Sequence, residues 1–591
     1  MSPLSMSAIA SSILVNLIIP FLCAAFVYGQ TARPASAGRM LYKKGIAQLQ
    51  EGDLQGAQAT FQKLIRLSPQ NPDAQNSLGW VLFNEGKLEE AILHLRLALK
   101  LKPNFVDANI NLASALAREG QLTEAENLAS EAVRLAPQNA EAHRTLGRVL
   151  SFSGDLNGSV GELRAAVDLQ PSRADLHDEL GSVLVQQQKL FEGEEQFRDA
   201  VKINAEYQPA QLHLGVALLT GGDLEGAEKA LQEAVRLAPK DPTSHFYLGN
   251  AMEAEGRKEA AEAAYRRAVE LKPDMIGAHT RLGLLLQRSG EPDKAADSFA
   301  KVVQLTPDDP EAHNNLGLAL LQSGEGDAAI KEFQAALKIK PGDVDYQGNL
   351  AAVYLQKSDF NHAISQLQEA LRQAPDKADL HYNLGLALKL KDNLPEAIAE
   401  FKEATNLDPT LADAYYTLGI TLWQKGDFAE AADQLRSAIH AKPDYAEAYY
   451  TLGSVLKQMN KLPEAADALR KAIRLQPNFL GAHTNLAAVL RQIGDTAGAD
   501  AENKAAQSIS KQNVSLQAAT FATNSGKRLL GVGDTPAAIS QFRNAIRIVP
   551  NYAPAHYQLA LALKQSGQKD EAAAEFQKAA ELDPNLRPPT P

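Results

Sequence analysis

The side chains best suited to chemistry in this sequence are amides that recur at multiples of 34 residues. Arg281 shares their column and immediately precedes three consecutive copies. An asparagine amide offers both donors and an acceptor, so it can bond the backbone of an extended peptide whatever its sequence. At the same position it can equally solvate a helix or bond the neighbouring unit. The five amides are Asn111, Asn315, Asn349, Asn383 and Asn485.

Aromatic residues follow the same spacing beside these amides. Exposed Tyr and Trp are typical anchors of protein interfaces, although here they can instead fill space between helices. A further column is rich in Gln, which suits either a binding surface or a solvated helix end. The predicted peptide-binding residues are Arg281, Asn315, Asn349, Asn383, Tyr382, Tyr416, Tyr450, Trp423, Gln424 and Gln458.

Eight histidines also share one column, which raises the question of a metal site. Copies in neighbouring units are expected about 10 Å apart, the spacing of packed helices. The ligands of one zinc ion must lie about 2 Å from the metal, and no Cys or carboxylate cluster converges with these rings. We therefore predict a packing role, with no metal and no cofactor. The column holds His143, His177, His245, His279, His313, His381, His483 and His556.

Composition excludes several classes of function. Lys and Arg total 59 against 71 Asp and Glu, a net charge of −12, which argues against nucleic acid as a partner. The only cysteine is Cys23, so the repeats have no disulfide, Cys-based zinc site or thiol catalyst. No phosphate-binding Gly-Lys motif or Ser-His-Asp context occurs. We expect a protein that is not an enzyme.

The 34-residue period also predicts the helices that hold these side chains. In residues 311–341 two apolar stripes with helical spacing are separated by Gly324 and ended by Pro341. Small residues at 317 and 329 let the two helices approach closely, and Phe333 fills the remaining gap. The recurring small residue at the first of these positions is Gly79, Ala113, Gly147, Gly181, Gly215, Gly249, Gly283, Gly317, Ala351, Gly385, Gly419, Gly453 and Ala487.

This period, with Leu-Gly, Ala, an aromatic or Leu, Ala and a closing Pro, resembles the tetratricopeptide repeat. The resemblance implies an all-α, right-handed superhelical solenoid of about 16 helix-turn-helix units, in which the first helices line the concave surface. The run of asparagines resembles the asparagine ladder in the tetratricopeptide region of O-linked N-acetylglucosamine transferase. We expect no catalytic domain like that of this transferase in this protein.

The regularity predicts the domain organisation. We predict a linker at 30–37, about fourteen units over 38–513, two further units over 519–584 and a tail at 585–591. The repeat spacing grows by five residues near 514–518, which predicts an insertion that acts as a kink or hinge. Ala572, Phe576 and Ala579 are expected to leave an apolar face at the C-terminal end, suited to self-association, unless the charges of the last helix suffice.

Residues 1–29 do not share the repeat pattern. The stretch 8–28 is apolar and long enough to span a bilayer. It suits a cleaved signal peptide. The absence of Lys or Arg before it, with basic residues after it, suits an uncleaved membrane anchor. We expect an exported protein, periplasmic or extracellular, with a membrane tether through 8–28 as the alternative.

The leading hypothesis is a scaffold that binds extended segments of partner proteins or peptides in its concave groove. One alternative is a structural or assembly subunit of a cell-envelope machine for secretion or polysaccharide export. Another is a substrate-selecting accessory of a separate transferase. Detergent dependence would distinguish the first alternative, and co-purifying transferase activity the second.

Overall fold

The computed structural model describes residues 35–586, and in that range the chain forms 31 α-helices and no β-strand. It divides into two compact units, Met1–Pro307 and Asp308–Pro591. No helix in the described range is long and apolar enough to cross a membrane. The predicted signal or anchor at 1–29 and most of the linker lie outside the described residues.

The first unit contains eight helix pairs, repeats 1–8. In each pair the odd-numbered helix is the first helix and the even-numbered one is the second. The helices are α1 Ala35–Gln50, α2 Leu54–Leu67, α3 Pro72–Asn84, α4 Leu88–Leu101, α5 Val106–Glu119, α6 Leu122–Leu135, α7 Ala140–Ser153, α8 Leu156–Leu169, α9 Ala174–Gln186, α10 Leu190–Ile203, α11 Gln208–Gly221, α12 Leu224–Leu237, α13 Pro242–Ala254, α14 Lys258–Leu271, α15 Ile276–Arg288 and α16 Pro292–Leu305.

The second unit contains repeats 9–16, so the prediction of an all-α array of about sixteen helix pairs is confirmed. One long helix, α28, serves as both the second helix of repeat 14 and the first helix of repeat 15. The helices are α17 Pro310–Gln322, α18 Gly326–Ile339, α19 Val344–Gln356, α20 Phe360–Gln373, α21 Ala378–Leu390, α22 Leu394–Leu407, α23 Ala412–Lys425, α24 Phe428–Ala441, α25 Ala446–Gln458, α26 Leu462–Leu475, α27 Leu480–Gln492, α28 Thr496–Gly531, α29 Thr535–Ile548, α30 Ala553–Gln565 and α31 Lys569–Leu582.

Repeat 9 shows how local sequence sets each helix boundary. The Asp309 side chain accepts a hydrogen bond from the backbone N–H of Glu311, and Pro310 occupies the first turn, where no N–H is needed. The turn between α17 and α18 contains Gly324 with φ at +83°, a left-handed conformation that glycine adopts without a Cβ clash. These signals explain why helices of similar length recur with short turns between them.

The two helices of a repeat meet at the small residue identified from the sequence, here called the contact position. A Cβ built on Gly317 would lie 2.7 Å from Cε1 of Phe333, well inside the normal contact distance. Phe333 is fully buried against this site. The contact position therefore sets how closely the two helices approach.

Successive repeats stack through a second set of small residues. Ala108, five residues before a contact position, packs with Ala98 of the preceding second helix, and both are fully buried. Ala545 and Ala555 form the same contact between repeats 15 and 16. First helices of neighbouring repeats also touch directly, as α5 and α7 do. Each repeat thus buries its apolar stripe against the next.

The structure differs from the expected kink or hinge at 514–518, because these residues lie inside the continuous 36-residue helix α28. Residues 499–525 contain neither Gly nor Pro, so nothing in this stretch ends the helix. The extra residues therefore lengthen a helix and do not form a flexible joint.

The prediction that three residues of the last helix leave an apolar face at the C-terminal end is wrong. Ala572, Phe576 and Ala579 are all buried, at 2%, 7% and 0% exposure. Phe576 packs edge-on against Tyr557 of α30, with ring centroids 5.6 Å apart. The last helix pair buries these apolar side chains between its own two helices, so the three residues offer no surface for self-association.

Candidate functional site

The predicted asparagine column belongs to a set of cross-repeat pairs. Each pair joins two successive repeats. The residue two positions before the contact position of one repeat bonds a residue of the preceding repeat, which lies three positions before that repeat's own contact position. Asn111 Nδ2 donates to Asn76 Oδ1 over 2.9 Å, and Asn349 Nδ2 donates to Asn314 Oδ1 over 2.8 Å. The column therefore links first helices, which was one of the readings left open by the sequence.

In repeats 4–6 the same cross-repeat pair is ionic. Arg144 Nη2 lies 2.5 Å from Glu179 Oε1, and Asp178 Oδ1 lies 2.8 Å from His213 Nδ1. Arg144 is only 3% exposed and also contacts Asp175. Sequence reasoning missed this network, although opposite charges 35 residues apart in two adjacent columns would have indicated it.

Burial and charge oppose each other in this network. Burial disfavours the ionised form of Glu179, but the guanidinium groups of Arg144 and Arg148 hold the pKa of this carboxyl below its usual range. Burial likewise works against charging His213, but the Asp178 carboxylate outweighs it and raises the pKa of the imidazole. In both pairs the partner charge favours the ionised form and outweighs burial.

Asn383 in α21 differs from Asn349 because the equivalent residue of the preceding repeat has no side chain that could bond it. The residue that would pair with it, by the same spacing, is Gly348, which has no side chain. Asn383 is half-buried and makes no side-chain hydrogen bond within residues 35–586. Asn315 likewise has no side-chain bond in the described part of the chain and is half-buried. These two amides retain their full capacity for bonding.

The predicted tyrosines each pack against another aromatic ring, Tyr382 within its own repeat and the other two across a junction between repeats. Tyr382 packs on Phe401, with centroids 5.9 Å apart. The pairs Tyr416–Tyr445 and Tyr450–Phe479 lie at 4.9 and 4.7 Å, and each joins two successive repeats. All three predicted tyrosines are half-buried, so each fills space and presents part of its ring to solvent.

The structure brings together only some of the remaining predicted residues. The Nε1 of Trp423 donates to Oε1 of Gln458 over 2.7 Å, which joins repeats 12 and 13. Gln424 is exposed beside this pair. Arg281 lies on α15 in the first unit, whereas the other nine predicted residues lie in the second. The candidate site is therefore restricted to repeats 9–13.

The histidine column forms a clasp of its own between three segments. In repeat 14, Nε2 of His483 donates to the carbonyl oxygen of Pro477, which closes the preceding repeat, over 2.9 Å. Its Nδ1 lies 2.5 Å from Oε2 of Glu502 in the second helix. His143, His381 and His556 make the same two contacts. No group of three or more metal-ligating side chains is found within residues 35–586.

Several solved structures are similar to this chain. The Cut9–Hcn1 hetero-tetramer of the APC/C is 16% identical, with 89% of this chain and 96% of that chain covered and a TM-score of 0.35. Yeast Tom70 is 17% identical, with 77% and 96% covered and a TM-score of 0.33. YrrB, described as a TPR protein with an unusual peptide-binding site, is 21% identical, with 32% and 98% covered and a TM-score of 0.29. At these TM-scores none is a close match.

No curated protein matches this chain. Family models for the tetratricopeptide repeat do match it. One covers more than half of the sequence, at residues 42–105, 179–242, 212–276, 280–344, 416–478 and 450–513. A second tetratricopeptide model matches 82–148 and 529–588, and a TPR model matches 353–392 and 388–426. These matches, with the paired helices, place the chain in the tetratricopeptide repeat family as a scaffold for protein–protein interaction.

Proposed function

We propose that the second unit binds extended segments of partner proteins on the face formed by the first helices of repeats 9–13. The observation that carries the proposal is the half-buried residue Asn383, whose amide has no side-chain partner in the described structure, the equivalent position of the preceding repeat being Gly348. The amide atoms of Asn383 are not buried, so they are open to a ligand that takes the place of water. A peptide backbone supplies both the acceptor and the donor that this amide needs.

Neighbouring side chains support the same mode of binding. Asn315 offers a second unbonded amide two repeats earlier, and Asn349 between them uses only one of its N–H donors, on Asn314. Tyr382, Tyr416 and Tyr450 present ring surface with little conformational entropy to lose. The arrangement favours backbone recognition by the amides and contact area from the rings, so affinity would depend weakly on the partner's sequence.

The structure suggests a substitution that blocks the site without removing a native contact. Gly348→Asn would restore the amide pair, with the new side chain bonding Asn383 as Asn314 bonds Asn349. A Cβ at 348 lies 3.4 Å from Leu380 Cδ2, an ordinary contact, so the variant should fold. We expect Gly348→Asn and Asn383→Ala to weaken partner capture to a similar degree.

The test is a cross-linked pull-down from native cells, with a photo-crosslinker at the exposed Gln424. Wild type would be compared with Gly348→Asn, Asn383→Ala and the triple variant Asn315/Asn349/Asn383→Ala, at matched circular dichroism. Asn111→Ala is the control, because this amide lies in the same column but is already paired with Asn76 in the first unit. Retention of the same cross-linked partners by all three test variants would refute the groove as the binding site.

The compartment is also a proposal. The apolar stretch at 8–28 supports export, with a membrane tether as the alternative, and it lies outside the described residues. Cell fractionation with N-terminal sequencing of the mature protein tests this. A chain that begins at residue 1 in the cytoplasmic fraction would refute both forms of the proposal.

A further inference from the structure

The junction between repeats 14 and 15 leaves a stacking face uncovered. Five residues before each contact position the chain normally carries a buried residue that packs on the preceding second helix, as Ala555 does on Ala545. In repeat 15 this residue is Phe521, and it is 72% exposed. Because α28 runs on without a turn, no preceding second helix folds back over this position. Repeat 15 therefore lacks the helix that its neighbours stack against.

The uncovered face is apolar at its centre. Val514, Ala518 and Phe521 follow one another at spacings of four and three, which places them on one stripe of α28. All three are exposed, Val514 at 63%. A phenylalanine at a position that elsewhere holds mainly alanine is suited to project into an occupant and not to receive a close-packed helix of the same chain.

The charge around this stripe is strongly one-sided. Lys511 continues the stripe on its N-terminal side and Arg528 lies near its other end. Lys504 and Lys527 add two further positive charges, and residues 503–533 contain no Asp or Glu. All four basic side chains are exposed, and none has an ion pair within the described structure. This basic surface stands out in a chain whose net charge is −12.

We propose that the stripe Val514, Ala518 and Phe521, with its flanking basic residues, docks an acidic amphipathic α-helix of a partner protein. A second helix of the preceding repeat fills the equivalent position at other junctions of this chain. The apolar stripe requires an apolar face with a small residue opposite Phe521, and the surrounding bases require carboxylates beside it. This surface lies outside the proposed groove and is independent of it.

The same charges argue against two other occupants. A second copy paired through α28 would bring basic residues against basic residues with no acid in the stretch to offset them. An anionic membrane would satisfy the charge, but three apolar side chains give it little area to insert. We therefore favour the helix and treat the other two occupants as outcomes of the test.

The probes are two synthetic helical peptides with the same Ala/Leu stripe, one carrying Glu on its flanks and the other Lys. Binding to the full-length chain is measured by fluorescence anisotropy. We expect saturable binding of the Glu peptide, and at least about tenfold weaker binding of the Lys peptide. Phe521→Ser should weaken the Glu peptide by about tenfold or more, through loss of apolar contact, and Lys511→Glu with Arg528→Glu should do the same.

Two variants serve as matched controls. Phe191→Ser removes a similarly exposed phenylalanine, at 79%, from the first unit and should leave binding unchanged. Asn383→Ala should also leave it unchanged, which separates this surface from the proposed groove. Because Phe521 is exposed, its replacement should not lower the unfolding temperature, so a loss of binding would report on the surface.

Four outcomes would overturn the proposal. The first is no saturable binding of the Glu peptide, and the second is equal binding of the Glu and Lys peptides. The third is self-association in sedimentation equilibrium that Phe521→Ser abolishes, which would assign the surface to a second copy. The fourth is co-sedimentation with vesicles of phosphatidylserine and phosphatidylcholine that requires Phe521 while the Glu peptide does not compete, which would assign it to a membrane.

Discussion

Arg144 and Glu179 join two successive first helices through a fork of hydrogen bonds in which Nε lies 3.0 Å from Oε2 and Nη2 lies 2.5 Å from Oε1. The two residues are 35 positions apart, the same separation as Asn314 and Asn349. The same pair of positions in the repeat therefore carries the contact between first helices, and its chemistry changes between amide pair and ion pair along the chain.

Replacing Arg144 with Met should destabilise repeats 4 and 5 strongly. It leaves the Glu179 carboxylate buried without its main partner, a change that typically costs about 3–5 kcal/mol. The lowered pKa of Glu179 means that the native pair stabilises the fold above the ordinary value for glutamate, about 4.3, and loses this contribution as pH falls further. The difference between wild type and variant should therefore be large at pH 7 and shrink in acid.

Hydrogen exchange followed by mass spectrometry over residues 140–186 is the suitable measurement, because a repeat array need not unfold in one step. The double variant Arg144→Met/Glu179→Met should regain most of the protection, since it removes the unpaired charge. Equal protection of Arg144→Met and wild type at pH 7 would contradict the assigned role of the pair.

His213 should make repeat 6 less stable as pH rises. Its folded-state pKa is raised by Asp178, so the stabilising charge is fully present below the ordinary histidine value of about 6.5 and is lost as pH rises through the raised value. His213→Gln cannot carry the charge and should remove this dependence. The check is thermal unfolding of both proteins between about pH 5 and pH 9, where parallel curves would contradict the prediction.

The fold could be predicted in detail because the sequence of each repeat contains the residues that begin and end its helices. Gly, Ala and Pro recur in register, and the close approach of Gly317 to Phe333 follows from their sizes. The long helix α28 was not foreseen, because a longer repeat spacing suggests an insertion. The missing Gly and Pro between 499 and 525 were the better signal, since nothing there ends a helix.

The candidate site was less predictable, because one column gives identical residues different partners. Asn349 bonds Asn314, whereas the equivalent partner position for Asn383 is Gly348, and only the comparison of two neighbouring columns separates the two amides. Trp423 looked like a free anchor, but its indole N–H is bonded to Gln458. The type of a side chain indicates its capacity to bond, whereas the preceding repeat decides whether that capacity is used.

A methyl group at Gly317 should have the opposite effect to one at Gly161. At 317 the new Cβ would lie 2.7 Å from the Phe333 ring, and such overpacking costs about 1–3 kcal/mol. Gly161, in the interior of α8, is exposed, and a Cβ there meets nothing within 4 Å, so Gly161→Ala should stabilise its helix by about 0.5–1 kcal/mol. Hydrogen exchange over each repeat would measure both effects.

A partner substitution tests whether the Phe333 ring is the cause. Repeat 10 has Ala351 at its contact position and Leu367 where repeat 9 has Phe333. Gly317→Ala with Phe333→Leu copies that combination and should be more stable than Gly317→Ala alone. A double variant that is less protected would indicate that the added methyl group clashes elsewhere.

His483 and Glu502 should be energetically coupled. The imidazole joins the second helix, through the 2.5 Å contact of Nδ1 with Glu502 Oε2, to the Pro477 carbonyl that closes the preceding repeat. His483→Ala should cost more than Glu502→Ala, because it breaks both of these contacts whereas Glu502→Ala breaks only one. A double-mutant cycle read by hydrogen exchange over residues 477–509 should give a coupling free energy of about 0.5–3 kcal/mol. Strictly additive losses would show that the ring acts by filling space alone, and the clasp would then contribute nothing specific to the junction between repeats 13 and 14.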